Sequence, residues 1–119
     1  KSWKMTVDIV KKAEWINDLE VFLDRVRPEE KLRDRLDIDY KIIGQTIIIH
    51  EIRPGYDNPK KKIEPKIART IYVKSKRHWK VYWLRGNLKW YRYEPRPTVK
   101  DLKDFLELVI EDNYGCFWG

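Results

Sequence analysis

The sequence has little of the chemistry that most metal and catalytic sites need. It contains one cysteine, Cys116, and two histidines, His50 and His78. A single cysteine cannot form an intrachain disulfide, and these three side chains are too few for a four-coordinate structural zinc site. The five glycines are scattered, so the chain has no glycine-rich phosphate loop. We therefore expect no metal and no cofactor, and we interpret Cys116 as a structural thiol.

Long apolar runs are also missing. No stretch approaches the ~20 apolar residues of a membrane-spanning helix, and the N-terminal segment lacks the apolar core of a signal peptide. Together with the single cysteine, these absences predict a cytoplasmic protein. The length of 119 residues and the 42% hydrophobic composition suit one domain with its own core, which we place at residues 1–119.

Acidic residues are absent from one long stretch, residues 66–93. This stretch contains nine lysines and arginines and seven aromatic side chains, so its formal charge is +9. The remainder of the chain has 17 basic and 19 acidic residues, a charge of −2, which accounts for the overall +7. A local excess of basic residues indicates a binding surface better than a diffuse excess does.

Two amphipathic helices are predicted at the ends of the chain. The first ends near Arg27, because Pro28 cannot continue a helix. Its apolar stripe follows helical spacing: Ile9, Ala13, Ile16, Leu19, Leu23 and Val26. The second follows Thr98, a candidate N-cap with Asp101 three residues later. Its apolar stripe is Leu102, Phe105, Leu106, Val109 and Ile110.

A β-hairpin and a loop are predicted in the first half. Two β-branched segments flank Gly44-Gln45, a type II′ turn signature that places Tyr40 opposite Ile49. Residues 54–66 contain three prolines and three consecutive lysines, and we expect them to form a long loop within the domain.

The basic stretch itself is typical of three strands. If Gly86-Asn87 forms a two-residue turn, Trp83 lies opposite Trp90, and a loop near Ser75 places Val73 opposite Trp79. Strand alternation then gives a core face of Ile71, Val73, Trp79, Val81, Trp83, Leu88 and Trp90. It also gives a solvent face of Tyr72, Lys74, Lys80, Tyr82, Lys89, Tyr91 and Tyr93. The predicted fold is α+β, with an antiparallel sheet of about five strands and both helices packed on one face.

Three segments resemble a known family of small bacterial single-domain proteins, catalogued as a domain of unknown function (family 3024). They are IIIHEIRPGYDNP, TIYVKSKRHWKVYWLRGNLKWYRYEP and the terminal EDNYGCFWG. The resemblance covers nearly the whole chain. It implies a stand-alone bacterial domain and carries no assigned activity.

The favoured function is nucleic-acid binding through the tyrosine- and lysine-rich face and its basic turns. Lysine and arginine neutralise phosphates, and aromatic side chains on a sheet stack on unpaired bases, so single-stranded regions of DNA or RNA are the expected ligand. The candidate residues are Tyr72, Lys74, Lys76, Arg77, Lys80, Tyr82, Arg85, Lys89 and Tyr91. The simpler explanation is that lysine and tyrosine merely cover the solvent side of a sheet.

Two alternatives stay open. Asp39 followed by Glu51-x-Arg53 is faintly similar to the carboxylates and lysine of a Mg²⁺-dependent nuclease, although an arginine cannot act as a base. Strand parity also places Asp39 and Glu51 on opposite faces unless a bulge intervenes. The other alternative is an interaction module for an acidic protein, and a homodimer through an edge strand is also compatible with the pattern.

Overall fold

The computed structural model describes residues 2–119, with side chains from Asp8 onward. Its architecture is α+β, as predicted: two helices lie on one face of an antiparallel sheet. The helices are α1 (Ser2–Val26) and α2 (Leu102–Glu111). The strands are β1 (Asp37–Ile43), β2 (Thr46–Pro54), β3 (Lys62–Ile63), β4 (Lys66–Val73), β5 (His78–Leu84), β6 (Trp90–Arg92) and β7 (Thr98–Val99).

The sheet has seven strands rather than about five. Its main order is β1-β2-β4-β5-β6, and the two-residue strands β3 and β7 pair with β2 and β5. The segment 54–66, expected to be a loop, is therefore partly strand, because β2 continues to Pro54 and Arg53 pairs with Ile63. Gly55 permits this close return, since a Cβ there would lie 2.8 Å from the carbonyl oxygen of Lys61.

The first hairpin has the predicted register. Tyr40 lies opposite Ile49 and Ile42 opposite Ile47. Gly44 has a φ of +59°, whereas Gln45 is not among the residues with positive φ, which is the pattern of a type II′ turn. Glycine is favoured at that position because other residues rarely adopt this φ.

Two aspartates of β1 accept hydrogen bonds from the outward-facing N–H groups of that same strand. The two-residue turn makes Ile43 and Thr46 a hydrogen-bonded pair, so the N–H groups of Ile38 and Tyr40 point away from β2. A carboxylate oxygen of Asp37 accepts from the first at 2.8 Å, and one of Asp39 accepts from the second at 2.8 Å. These bonds disfavour addition of another strand at this edge.

The buried stripe of α1 differs from the predicted one. Leu19 and Leu23 are buried as expected, but Ile9 is 64% exposed and Ile16 is 43% exposed. Phe22, which widens the predicted stripe, is buried as well, whereas Trp15 takes a core position that was not predicted, and its ring packs edge-on against Trp79, with the centroids 4.8 Å apart. The large aromatic side chains thus set the rotation of the helix, and the apolar spacing of its first half was misleading.

Helix α2 begins three residues later than predicted. Asp101 is its N-cap and forms a reciprocal capping box with Asp104, while Thr98 lies in β7. The predicted apolar residues Leu102, Phe105, Leu106 and Val109 are buried. The tail folds back onto the end of α2, where the backbone N–H groups of Phe117 and Trp118 both donate to the carboxylate of Asp112.

An ion pair joins the end of α1 to the sheet. The Arg27 guanidinium donates from two nitrogens to the two carboxylate oxygens of Asp37, at 2.8 and 2.6 Å. This bidentate contact lowers the pKa of Asp37 below its ordinary value, with further help from the backbone N–H of Ile38. The helix layer is thereby tied to β1 at a partly buried position.

Helix α1 is long, but its charged residues set it apart from a membrane span. Across residues 2–119 no helix combines the length and the hydrophobicity needed to cross a bilayer.

Candidate nucleic-acid interface

The turn between β4 and β5 decides which side chains of β4 face the helices. Residues Lys74–Lys76 form a 3₁₀ turn, and Arg77 adopts a left-handed φ of 51°. Val73 then lies opposite His78, and Tyr72 lies opposite Trp79. The predicted pairing of Val73 with Trp79 is wrong by one residue, so every β4 side chain changes face.

The turn between β5 and β6 produces a second slip of one residue. Leu88, rather than Gly86 or Asn87, adopts the left-handed conformation, with a φ of 63°. The backbone N–H of Arg85 donates to the carbonyl of Lys89, which makes a three-residue loop instead of the predicted two-residue turn. Consequently Trp83 lies opposite Tyr91 and Leu84 opposite Trp90, and the predicted Trp83–Trp90 pair does not form.

These two registers replace the predicted tyrosine and lysine lattice with a different surface. The helix face carries Ala68, Thr70, Trp79 and Val81, which are buried. The opposite side of the main strands, which we call the open face, is not covered by a helix in the described part of the chain. Its strand side chains include Lys41, Ile43, Ile48, Arg69, Ile71, Lys80, Tyr82, Leu84, Trp90 and Arg92, and toward its margins Asp39, Thr46, His50, Val73 and His78.

An arginine between two aromatic rings lies at the centre of the open face. The guanidinium carbon of Arg69 is 4.5 Å from the ring centroid of Tyr82 and 4.9 Å from that of Trp90. All three side chains are partly exposed. The Arg69 guanidinium has no carboxylate within ion-pair distance among residues 8–119. We call these three residues the Arg69 cluster.

The other cations of the open face differ in how they are paired. Lys41 contacts Glu64 at 2.6 Å, which lowers the pKa of that carboxyl, and Arg92 contacts Glu94 at 3.1 Å. Lys80 is exposed and, in the described region, has no carboxylate partner. The centre of the face therefore keeps an unneutralised positive charge.

Four predicted binding residues lie elsewhere, near a groove on the helix side. Tyr72 packs against Trp79 with the ring centroids 4.9 Å apart, and its hydroxyl accepts from Lys11 at 3.3 Å. Tyr72 and Arg77 line a groove of about 530 Å³ between α1, the start of α2 and the end of β4. Lys74 and Lys76 are exposed in the adjoining turn, where Lys74 contacts Asp8 at 3.4 Å.

Three further predicted residues gather at the β5–β6 turn. The guanidinium carbon of Arg85 is 4.6 Å from the ring centroid of Tyr91 and 5.5 Å from that of Trp83, on the helix side of the sheet. The Asn87 amide donates to the Tyr91 hydroxyl at 2.9 Å, and Lys89 is exposed. We call Arg85, Trp83 and Tyr91 the Arg85 cluster. Of the nine predicted residues, only Lys80 and Tyr82 lie on the open face.

The carboxylates of the nuclease alternative are not brought together. Ile38 pairs with Glu51 and Asp39 with His50 in one continuous register, so Asp39 and Glu51 point to opposite faces. The bulge at this point lies between β2 and β4 and leaves the β1–β2 pairing intact. Glu51 instead contacts Arg53 at 2.7 Å. Within the described residues no group of three metal-binding side chains could hold a metal ion.

Cys116 fits its structural interpretation. The residue is partly buried in the folded-back tail, next to Phe117, which is 5% exposed. Burial raises the pKa of the Cys116 thiol, with a smaller contribution from the nearby Asp112 carboxylate. The reactive thiolate is therefore disfavoured.

Sequence reasoning missed four residues of the open face: Lys41, Arg69, Trp90 and Arg92. All but Lys41 belong to the basic stretch, and Trp90 was assigned to the core only through the two-residue turn. No residue of the Gly86-Asn87-Leu88 turn distinguishes a three-residue loop from a two-residue one, because the left-handed position is a leucine rather than a glycine. The alternation along β4, with apolar residues at both parities, gave no independent check.

The geometry defines a two-layer α+β domain with a basic, partly aromatic open face. The chain belongs to the family described as a domain of unknown function, DUF3024, whose model matches residues 7–119. Comparison with curated proteins and with solved structures found no match.

Proposed function

We propose that this domain binds nucleic acid on the open face. The observation that carries the proposal is the Arg69 cluster, an arginine in contact with a tyrosine and a tryptophan on a sheet surface that no helix of the described residues covers. A planar cation beside aromatic rings is a surface on which bases stack. The nuclease alternative lacks comparable support, because Asp39 and Glu51 point to opposite faces.

The charges of the open face support the same ligand. Lys80 lies near its centre, and Lys41 and Arg92 lie at its two sides. Phosphate contacts by such cations release counterions, so they contribute affinity without reading the base sequence. Few side chains on this face could form hydrogen bonds to base edges. We therefore expect the domain to bind with little preference for base sequence.

The test is fluorescence anisotropy with a labelled twelve-nucleotide oligothymidine across a series of salt concentrations. We expect binding whose affinity falls steeply with salt. Trp90→Ala should weaken binding about five-fold or more, the loss expected for one stacked base. Lys80→Gln should weaken it less and should reduce the salt slope by about one phosphate contact.

Two exposed residues outside the open face serve as matched controls. Tyr56 is 94% exposed in the β2–β3 loop, and the Lys103 side chain is 77% exposed on α2. Tyr56→Ala and Lys103→Gln should bind as the wild type does. Absence of binding at low salt overturns the proposal. Capture of one defined acidic protein after nuclease treatment, without oligonucleotide binding, would favour a protein partner instead.

A further inference from the structure

We infer that the ligand of the open face is a short unpaired segment of nucleic acid, and that Arg69 acts as a positioning residue for its bases. This inference rests on the proposed function and deepens it. In this account Arg69 holds the rings of Tyr82 and Trp90 in place, so that they stack on bases, while Lys80 and Arg92 contact phosphates.

The contacts of Arg69 argue for a role in holding the rings of Tyr82 and Trp90. Its guanidinium lies within 5 Å of both ring centroids. Its Nε atom is buried and has no hydrogen-bond partner among the described residues. With Nε buried, only the terminal nitrogens face a possible ligand, and the guanidinium is already in contact with the two partly exposed rings. The cation–π contacts of Arg69 stabilise the orientation of the two rings.

The two rings are spaced as neighbours on the sheet. Tyr82 pairs with Arg92, and Trp90 pairs with Leu84, two residues farther along β5. Tyr82 and Trp90 are therefore diagonal neighbours on one face, with their backbones ~7–8 Å apart and their Cβ atoms somewhat closer. Arg69 is directly opposite Tyr82 on the other side. Two bases, one on each ring, are the natural complement of this arrangement.

The register also sets the length of the ligand. One row crosses the five main strands without interruption: Lys41, Ile48, Arg69, Tyr82 and Arg92. Strands lie ~4.8 Å apart, so the row is about 19 Å long. A stacked single strand rises ~3.4 Å per nucleotide, and the row therefore accommodates at most about six nucleotides.

An unpaired strand fits this row better than a duplex does. Stacking on Tyr82 and Trp90 needs base faces that are free, and in a duplex those faces are covered by neighbouring base pairs. Lys41 and Arg92 lie at the two ends of this row, with Lys80 two residues from Tyr82 along β5, an arrangement that suits one backbone, whereas a duplex presents two.

The experiment compares the oligothymidine with a blunt duplex of equal length and uses oligothymidines of three, six and twelve nucleotides. We expect the single strand to bind at least about ten-fold more tightly than the duplex at the same salt, with affinity rising from three to six nucleotides and little thereafter. A duplex that binds equally well, or affinity that keeps rising in proportion to length, overturns this inference. Absence of binding to every probe overturns the proposed function as well, so the two failures differ.

Conservative variants test the positioning role. Arg69→Lys keeps the charge and loses the planar group, and Arg69→Met keeps much of the packing and loses the charge. We expect both to bind about five-fold or more weakly, with the salt slope of the wild type. Wild-type affinity for Arg69→Lys, or a slope reduced by about one in Arg69→Met, would instead make Arg69 a phosphate contact. Thermal unfolding and near-ultraviolet circular dichroism of each variant establish that it is folded.

Discussion

The two arginine clusters are built from the same residue types but lie on opposite sides of the sheet. The Arg69 cluster is at the centre of the open face, where the arginine lies on a strand and its Nε atom is buried. The Arg85 cluster is at the β5–β6 turn on the helix side, where the arginine is exposed beside Tyr91 and the partly buried Trp83. The comparison shows that strand register, and not composition, decides which aromatics are available to a ligand.

The helix face and the open face of the sheet accordingly have different roles. On the helix face Trp79 is 3% exposed and packs against Trp15 and Tyr72, so its aromatic surface contributes to stability. On the open face Tyr82 and Trp90 contact Arg69 and stay partly exposed, since no second layer formed by the described residues buries them. Substitutions on the first face should change folding, and those on the second should change binding.

The largest expected change in the free energy of unfolding comes from a substitution on the helix face. Trp79→Ala removes a large side chain from a closely packed aromatic group and should lower the free energy of unfolding by about 3–5 kcal/mol. Urea unfolding followed by circular dichroism measures this change. The matched variant Trp90→Ala should cost well under half as much. Equal losses for the two tryptophans would contradict the division between the faces.

A smaller loss of stability is expected at the ion pair that ties the helix layer to the sheet. Asp37→Asn should lower the free energy of unfolding by about 1–3 kcal/mol at neutral pH, because the partly buried Arg27 loses its charged acceptor. Binding of oligothymidine should not change. If it weakens in step with the stability loss, the open face depends on the helix layer.

The stability that the Arg27–Asp37 ion pair contributes should decrease at low pH. The pKa of Asp37 is lowered in the folded protein, so its contribution is fully present above the unfolded pKa of ~3.9 and is lost as the pH falls through the lower folded value. The stability difference between wild type and Asp37→Asn should therefore shrink below about pH 4. A difference that stays constant down to pH 2 is incompatible with this assignment.

The Arg85 cluster offers the direct contrast in binding. Arg85→Lys removes the planar cation from Trp83 and Tyr91 and, in our account, should change the affinity for oligothymidine by less than about two-fold, since exposed cations contribute little singly. Arg69→Lys should weaken binding about five-fold or more. Anisotropy titrations at one salt concentration compare the two variants. A larger effect at Arg85 would reverse the assignment of the two clusters.

The smallest effect concerns the turn that sets the register of β6. Leu88 is 78% exposed and has a left-handed φ of 63°, which is unfavourable for a residue with a Cβ. Leu88→Gly should therefore raise the free energy of unfolding by about 0.5–1 kcal/mol without changing binding. Leu88→Ala keeps the unfavourable conformation and is the control. Destabilisation by Leu88→Gly would show that the leucine itself supports the turn.

The fold class and the register of one hairpin could be predicted from the sequence alone. Helix α2 and its buried residues follow from helical spacing, and the β1–β2 register follows from Gly44, whose residue type and position match the turn that forms. These elements are predictable because one local signal determines each of them.

The candidate site was harder, because it depends on two turns whose length the sequence leaves open. Leu88 and Arg77 adopt left-handed conformations without being glycine, so neither position carried a recognisable signal. Each turn shifts its strand by one residue, which moved Tyr72 and Tyr91 to the helix side and brought Trp90 onto the open face. The basic and aromatic content of residues 66–93 can be read directly from the sequence, but the predicted assignment of those residues to the two faces of the sheet was wrong.

The most direct test of the central claim is to follow the six tryptophan indole N–H signals by heteronuclear NMR during titration with a six-nucleotide oligothymidine. The signals can be assigned with single tryptophan substitutions. We expect the Trp90 signal to shift most, while those of Trp15 and Trp79 in the core stay in place. A largest shift at Trp83, beside Arg85, or no shift of Trp90 at saturating oligonucleotide, would contradict it.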